Sequence, residues 1–274
     1  MNADDIYKLL NRVREEKPLV HLITNSVTRN DCANVVIAIG ASPIMATDSK
    51  EVEEVVSVSK ALVLNIGTIE ENIVEPMILA GKKANNLDIP VILDPVGVGV
   101  SDFRKTIVEK IFENIHVSII KGNQSEIKTI CGLEANSKGV DSGDNDSVDD
   151  ITRISQILSN KTNSVVAVTG KIDVISQLGK TVYISNGNKM LKSITGTGCM
   201  GTALVGVFAT VAKNMLEAAV AGISLLNTAG DIAYKKIIDV GGGCGSFKVY
   251  LFDSIGENDP FILDKIKFTL YNNK

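Results

Sequence analysis

The segment TGTGC at positions 195–199 joins a glycine turn to a titratable thiol, directly before an apolar stretch that reaches Ala209. Backbone N–H groups at such a turn can point at an anion, and the dipole of a following helix adds positive potential. Cys199 stands at the start of that predicted helix, where we expect the pKa of a thiol to fall. The pattern predicts a phosphate-binding turn beside a candidate base. A structural turn around a buried cysteine fits the same five residues.

Charged residues follow two further apolar runs that have the pattern of strands. Asp94 follows one run, and Lys121 follows another, with Glu126 one helical turn later. Ligands of open α/β sheets bind at the carboxyl ends of the strands. Two carboxylates suit Mg²⁺, and a lysine suits phosphate as a point charge. Structural roles compete with this interpretation: Asp94 can form a turn before Pro95, and Glu126 can stabilise the first turn of a helix.

Apolar runs alternate with helical patterns along most of the chain. The predicted strands are 19–24, 61–67, 90–97, 117–123 and 164–170, with a hairpin formed by 174–177 and 181–185. The predicted helices are 30–39, 70–86, 103–112, 125–131, 148–158 and 246–255, with nearly continuous helix from 199 to about 238. This alternation predicts an α/β fold, in which a central, mostly parallel sheet carries helices on both faces. No linker is evident, so we expect one domain over residues 1–274.

Two other features are predicted to be structural. The segment 136–150 is rich in Ser, Gly, Asp and Asn, which is typical of a solvated surface loop. His21 lies inside an apolar strand and His116 precedes one, so both histidines are interpreted as structural.

Composition excludes several classes of protein. The 274 residues carry a net charge of −4 without a basic block, which argues against nucleic-acid binding. No apolar run reaches the roughly 18 residues that span a bilayer, and the N-terminal amphipathic pattern is unlike a signal peptide. The four scattered cysteines lack metal-ligand spacing, so we expect reduced thiols and a cytoplasmic protein.

Six segments, in this order along the chain, resemble the hydroxyethylthiazole kinase family. They are 21–46, 63–68, 92–99, 121–126, 166–170 and 195–200. The resemblance implies a ribokinase-like fold and ATP- and Mg²⁺-dependent phosphorylation of the hydroxyethyl group of 4-methyl-5-(2-hydroxyethyl)thiazole, in thiamine salvage or biosynthesis. It also implies a homotrimer with thiazole sites between subunits.

The resemblance further implies roles for individual residues. Cys199 takes the place of the general base, where many ribokinase-like relatives carry Asp. The implied thiazole-binding residues are Asn25, Met45, Gly67, Thr68 and Gly196. The implied ATP-binding residues are Lys121, Thr169 and Gly198, and the implied metal-binding residues are Asp94 and Glu126. Position 121 is often Arg in the family, and Lys lacks the bidentate fork of that side chain. Cys244 is not explained by the resemblance.

Two alternatives stay open at this point. The first is a ribokinase-like kinase for another small alcohol, such as pyridoxal or a pyrimidine, although Cys199 and the segment around Met45 favour the thiazole. The second is a nucleotide-binding regulatory module. Against it, the first strand is not followed by the glycine pattern G-x-G-x-x-G of dinucleotide-binding folds. A kinase consumes ATP only when its alcohol is present, and a binding module does not.

Overall fold

The computed structural model of the chain describes residues 2–133, 147–257 and 268–272, and the strands in these ranges form one nine-stranded sheet. The strands are β1 (Leu19–Ile23), β2 (Ser42–Ile44), β3 (Ala61–Asn65), β4 (Val91–Asp94), β5 (Ile119–Asn123), β6 (Val165–Thr169), β7 (Asp173–Gln177), β8 (Lys180–Ile184) and β9 (Phe268–Asn272). Their spatial order is β2-β1-β3-β4-β5-β6-β7-β8-β9. The first six strands of this order are parallel, and β7, β8 and β9 pair in antiparallel fashion. The predicted, mostly parallel sheet is confirmed.

Helices fill most of the connections between the strands, whereas short turns join β6 to β7 and β7 to β8. The helices are α1 (Ala3–Glu16), α2 (Arg29–Ile39), α3 (Val52–Val58), α4 (Glu71–Asn86), α5 (Asp102–Asn114), α6 (Gln124–Ile130), α7 (Val148–Thr162), α8 (Thr197–Ala209), α9 (Met215–Val240) and α10 (Cys244–Gly256), with a 3₁₀ turn at Lys189–Ser193. Among these helices, none is both long enough and apolar enough to cross a membrane.

Alternate side chains of the strands feed two apolar layers, one on each face of the sheet. Val63 of β3 and Ile92 of β4 pack in the layer formed with α1, α2, α8, α9 and α10. Leu64 and Leu93, their neighbours in sequence, pack in the layer formed with α3 to α7. Helices therefore cover both faces, as predicted. The same alternation directs the last residues of β3 and β4 towards α8.

The predicted, nearly continuous helical stretch from 199 to about 238 is confirmed, and the structure divides it into two helices. The first of them, α8, ends at Ala209, and α9 begins at Met215. The side chain of Asn214 accepts a hydrogen bond from the backbone N–H of Glu217, which caps the start of a separate helix. The short elements α3 and β2 were not predicted. Residues 136–146 of the predicted loop lie outside the described residues, and α7 begins at Val148 as expected.

Candidate active site

A chain of buried amide and carboxylate groups crosses the carboxyl ends of β1, β3 and β4. Asn25 Nδ2 donates a hydrogen bond to Asn65 Oδ1 at 2.9 Å, and Asn65 Nδ2 donates one to Asp94 Oδ2 at 3.0 Å. Asn65 stands opposite Asp94 in the register of the sheet, so their side chains lie on the same face. All three residues are 5% exposed or less. Three separate strand ends are thereby joined into one polar site.

The glycine turn before α8 docks against this chain of groups. Gly196 has φ +86°, and a Cβ there would lie 2.5 Å from Cγ2 of Thr28. Thr28 in turn donates its backbone N–H to Asn25 Oδ1 at 3.0 Å, and Asn25 Nδ2 lies 3.3 Å from Cys199 Sγ. Only glycine suits position 196, because it must both adopt positive φ and allow this close approach.

The predicted fall in the pKa of Cys199 is wrong. Burial raises the pKa of this thiol, and the nearby charge of Asp94 raises it further. Hydrogen bonding and the charge of Lys121 act in the opposite direction but do not reverse the shift. Since the residue is only 9% exposed, desolvation outweighs the potential at the helix start.

Asp94 is held from two sides. Besides Asn65, the hydroxyl of Thr202 donates to Asp94 Oδ2 at 2.6 Å. Burial raises the pKa of Asp94, against the charge of Lys121 and these two hydrogen bonds. Lys121 itself is buried and donates through Nζ to the carbonyl oxygen of Gly198 at 2.9 Å, so this cation lies beneath the start of α8.

Glu126 is fixed by backbone donors at both carboxylate oxygens. Oε1 accepts from the N–H of Gly97 at 2.9 Å, and Oε2 accepts from the N–H of Asn123 at 2.7 Å. The second bond belongs to a capping box at the start of α6. Burial and then the charge of Asp94 raise the pKa of Glu126 to about 7. The two predicted metal-binding carboxylates are thus close enough to repel each other.

Gly67 and Thr68 form a turn on the β1 side of the site. Gly67 donates its N–H to Asn65 Oδ1 at 2.9 Å, and the N–H of Ser26 donates to Thr68 Oγ1 at 2.9 Å. A Cβ at position 67 would lie 3.0 Å from atoms of both Asn25 and Asn65. The turn is therefore built tightly against the same amide groups that approach Cys199.

Met45 and Thr169 lie at the carboxyl ends of β2 and β6. Met45 follows β2 and packs half-buried on the layer beneath α8. Its neighbour Ala46 accepts a hydrogen bond from Nε2 of the fully buried His21 at 2.8 Å, which agrees with a structural role for this histidine. Thr169 ends β6, and its hydroxyl donates to the carbonyl oxygen of Gly122 at 3.3 Å.

Sequence analysis missed three residues of this site. Asn65 connects Asn25 to Asp94, and its signal was a single amide that ends an apolar strand. Thr202 lies inside a buried apolar helix, one turn after Gly198, and only its position relative to the glycine turn could have indicated it. Arg104 donates hydrogen bonds to backbone carbonyl oxygens in the turns that follow β3 and β4. Nothing in its local sequence indicated these contacts.

Comparison with known proteins identifies the family of this chain. A family model described as the hydroxyethylthiazole kinase family matches residues 10–258. The chain belongs to this family. It is 48% identical over 273 residues to a hydroxyethylthiazole kinase from Clostridium botulinum (strain Eklund 17B / Type B), covering 98% of each chain. A hydroxyethylthiazole kinase from Alkaliphilus oremlandii is 48% identical over 256 residues, covering 93% of this chain and 94% of its relative.

Solved structures agree with this assignment. The structure of a hydroxyethylthiazole kinase protein from Pyrococcus horikoshii OT3 matches with a TM-score of 0.86 and 34% identity, over 98% of this chain and 99% of the other. A pyridoxal kinase from Staphylococcus aureus matches with a TM-score of 0.59 and 13% identity, over 78% of this chain and 88% of the other, which concerns the fold alone. The predicted family and ribokinase-like fold are confirmed, and the chain is a kinase.

Proposed function

We propose that this kinase phosphorylates the hydroxyethyl group of 4-methyl-5-(2-hydroxyethyl)thiazole with ATP and Mg²⁺, as a step of thiamine salvage or biosynthesis. The observation that carries the proposal is the junction of Asn25, Asn65 and Asp94 with Cys199 at the start of α8. In a member of this family, the nearness of a thiol, a glycine turn and a carboxylate supports a site for phosphoryl transfer. The continuous sheet supports a single kinase domain.

The start of α8 supplies donors for the transferred phosphoryl group. The first hydrogen bond of the helix runs from the N–H of Met200 to the carbonyl oxygen of Gly196 at 2.8 Å. The N–H groups of Thr197, Gly198 and Cys199 precede this bond, so the helical ladder does not use them. Such donors stabilise negative charge that develops during phosphoryl transfer. We assign Gly196 to the thiazole side of this turn and Gly198 to the ATP side.

Cys199 is the proposed acceptor of the proton that leaves the substrate hydroxyl. As the hydroxyl oxygen bonds to the γ-phosphorus, the bond from that phosphorus to the bridging oxygen of ADP breaks, and the hydroxyl proton passes to Sγ. The raised pKa means that the resting group is a thiol. The thiol must therefore first release its own proton to solvent water, and Asn25 Nδ2, which lies 3.3 Å from Sγ, stabilises the thiolate that forms. Positioning and charge stabilisation dominate such reactions, so a modest base is sufficient.

Lys121 and Thr169 are proposed to contact ATP. They lie on the neighbouring strands β5 and β6, and the ammonium group of Lys121 lies beneath Gly198. An ammonium there binds phosphate as a point charge. On the other side of the turn, Asn25, Gly67 and Thr68 are proposed to contact the thiazole.

Asp94 and Glu126 fit a magnesium ion. Mg²⁺ is usually bound by one or two carboxylates together with waters and phosphate oxygens. No group of three or more metal-ligand side chains occurs in the described residues, which suits this pattern. The repulsion that raises the pKa of Glu126 is relieved by a cation near both carboxylates. When bound, the ion neutralises charge on the phosphate oxygens of ATP.

Asp94→Asn and Glu126→Gln are expected to weaken magnesium-dependent turnover far more than thermal stability. If both variants titrate with magnesium as the wild type does, the assignment is contradicted.

A homotrimer with thiazole sites between subunits is proposed on the family resemblance. The surface supports it, because apolar Val27 is 63% exposed only two residues from Asn25. Ile37 of α2 and Val249 of α10 are also more than half exposed, and both line one groove between these helices. A neighbouring subunit would cover these apolar side chains. Sedimentation analysis at assay concentration tests the idea, and a fully active monomer would contradict it.

An alcohol panel tests the proposed reaction. Purified protein with ATP and Mg²⁺ is given the thiazole alcohol, pyridoxal, a hydroxymethylpyrimidine or no acceptor, and ADP release and phosphorylated product are measured. We expect the highest kcat/KM with the thiazole and negligible ADP without acceptor. Thiazole binding without ADP release would refute the proposed function, and a higher kcat/KM for pyridoxal would reassign the acceptor.

A further inference from the structure

Arg104 connects two turns that belong to different parts of the proposed site. Its Nη1 donates to the carbonyl oxygens of Ile66 and Val96, and its Nη2 donates to the carbonyl oxygen of Gly67 at 2.8 Å. The bond to Val96 is also 2.8 Å long. One guanidinium therefore holds three backbone acceptors, two after β3 and one after β4.

Each of these turns carries a different function. The turn after β3 contains Gly67 and Thr68, which are proposed to contact the thiazole. The turn after β4 contains Gly97, whose N–H orients Glu126 through Oε1 at 2.9 Å. The positions of both turns relative to each other set the distance from the acceptor alcohol to the carboxylates.

We propose that Arg104 is a positioning residue that locks the acceptor-binding turn to the turn that orients Glu126. The inference rests on the proposed function for its kinetic consequences, but the link between the two turns is a property of the fold. Arg104 does not contact the reacting atoms in this assignment. It acts through the backbone of Gly67 and Val96.

The local structure prepares the side chain for this role. Arg104 lies in the first turn of α5, which Ser101 caps by accepting from the N–H of Arg104 at 3.3 Å. Its side chain is half-buried, and burial lowers the pKa of the guanidinium while the charge of Glu126 raises it. The three carbonyl oxygens lie beyond the ends of β3 and β4, where Arg104 supplies their hydrogen bonds.

Lysine cannot replace this arginine fully. A guanidinium carries five N–H donors in a planar fork, and two of its nitrogens reach three carbonyl oxygens here. An ammonium is a compact group that presents three donors from a single nitrogen. Arg104→Lys should therefore keep part of the link, and Arg104→Met should remove it while preserving the length of the side chain. Lys105→Met is the matched control, because Lys105 lies next to Arg104 in α5 and, among the described residues, its ammonium group pairs with the exposed Asp102 at 3.0 Å.

The test combines kinetics with amide hydrogen exchange in the full chain. For Arg104→Met we expect the KM for the thiazole and the Mg²⁺ concentration at half-activation both to rise about tenfold, the loss expected when a charged hydrogen bond no longer orders a binding turn. Exchange should become faster in the peptides 64–70 and 94–100. Arg104→Lys should give intermediate values, and Lys105→Met should match the wild type.

Several outcomes would overturn the inference. Unchanged exchange in either peptide would do so, as would a KM change for the thiazole without a change in the magnesium requirement. A loss of kcat with both half-saturation values unchanged identifies a merely structural residue. If Arg104→Met does not fold, the same measurements are made on Arg104→Lys. Exchange needs no turnover, so failure of thiazole phosphorylation by the wild type would refute the proposed function without deciding the role of Arg104.

Discussion

Replacing Asn65 by alanine is the sharpest test of how the site is assembled. The Asn65 side chain accepts hydrogen bonds from Asn25 Nδ2 and from the N–H of Gly67, both at 2.9 Å, and donates to Asp94 Oδ2 at 3.0 Å. Asn65→Ala removes all three bonds in a region where water does not replace them, since the residue is 3% exposed.

The expected cost follows from these three bonds. Two neutral hydrogen bonds contribute about 1 kcal/mol each, and one to a carboxylate contributes about 1.5–3 kcal/mol. The free energy of unfolding should therefore fall by about 4 kcal/mol. At roughly 2–4 °C per kcal/mol for a domain of this size, the Tm should fall by about 8–16 °C.

Asn65→Asp separates the contribution of Asp94 from the rest. The new side chain keeps both accepted bonds but places a carboxylate oxygen where Nδ2 lies 3.0 Å from Asp94 Oδ2. Two carboxylates so close cannot both ionise, so one holds a proton and its pKa is raised. Stability linked to a raised carboxylate pKa is present at low pH and is lost as pH rises through that pKa. Asn65→Asp should therefore be far less destabilised at about pH 5 than at about pH 8.

Thermal and urea unfolding without nucleotide measure these effects. Asn85→Ala is the control, because Asn85 bonds to the backbone of His116 in an exposed region outside the site, and its loss should cost about 1 kcal/mol. A Tm for Asn65→Ala within about 3 °C of the wild type would refute the reasoning. So would an Asn65→Asp variant with the same cost at both pH values.

The remaining predictions concern the turn before α8 and Glu126. Cys199→Ala should lower kcat by about 10²–10⁴-fold with nearly unchanged thiazole binding, and Cys199→Asp should retain substantial activity because a carboxylate accepts the same proton; wild-type turnover in Cys199→Ala would show that the thiol only packs. Without Mg²⁺, the stability that Glu126 contributes should be present below its ordinary pKa of 4.5 and lost as pH rises through about 7. In urea unfolding, Glu126→Gln should not show this decrease in stability with pH. Gly196→Ala should lower turnover and stability more than Gly132→Ala, because both glycines have positive φ but only Gly196 has a neighbour that a Cβ would meet; equal effects in steady-state assays and thermal melts would assign the loss to backbone strain alone.

The sequence alone predicted the parts of this protein that depend on local pattern. Alternating apolar runs predicted the parallel sheet and its two helical layers, because strand and helix periods are properties of neighbouring residues. The motif at 195–199 predicted the turn that begins α8. The places of Asp94 and Glu126 after strands indicated a metal site, and that role stays a prediction. The family itself was predicted from six ordered motifs and then confirmed.

Tertiary structure decided how these parts meet. In the sequence, Asn65 is a single amide at the end of a strand. The register of the sheet sets it beside Asp94, and its side chain bonds to Asn25. The pKa of Cys199 is raised, whereas the sequence predicted that it would fall. The shift depends on how deeply α8 is buried and on the nearby charge of Asp94, and both follow from tertiary packing. Arg104 joined two turns that lie about 30 residues apart in sequence, a link that no local pattern encodes. Sequence specifies which groups are available, whereas burial and distance, which set their energies, exist only once the chain has folded.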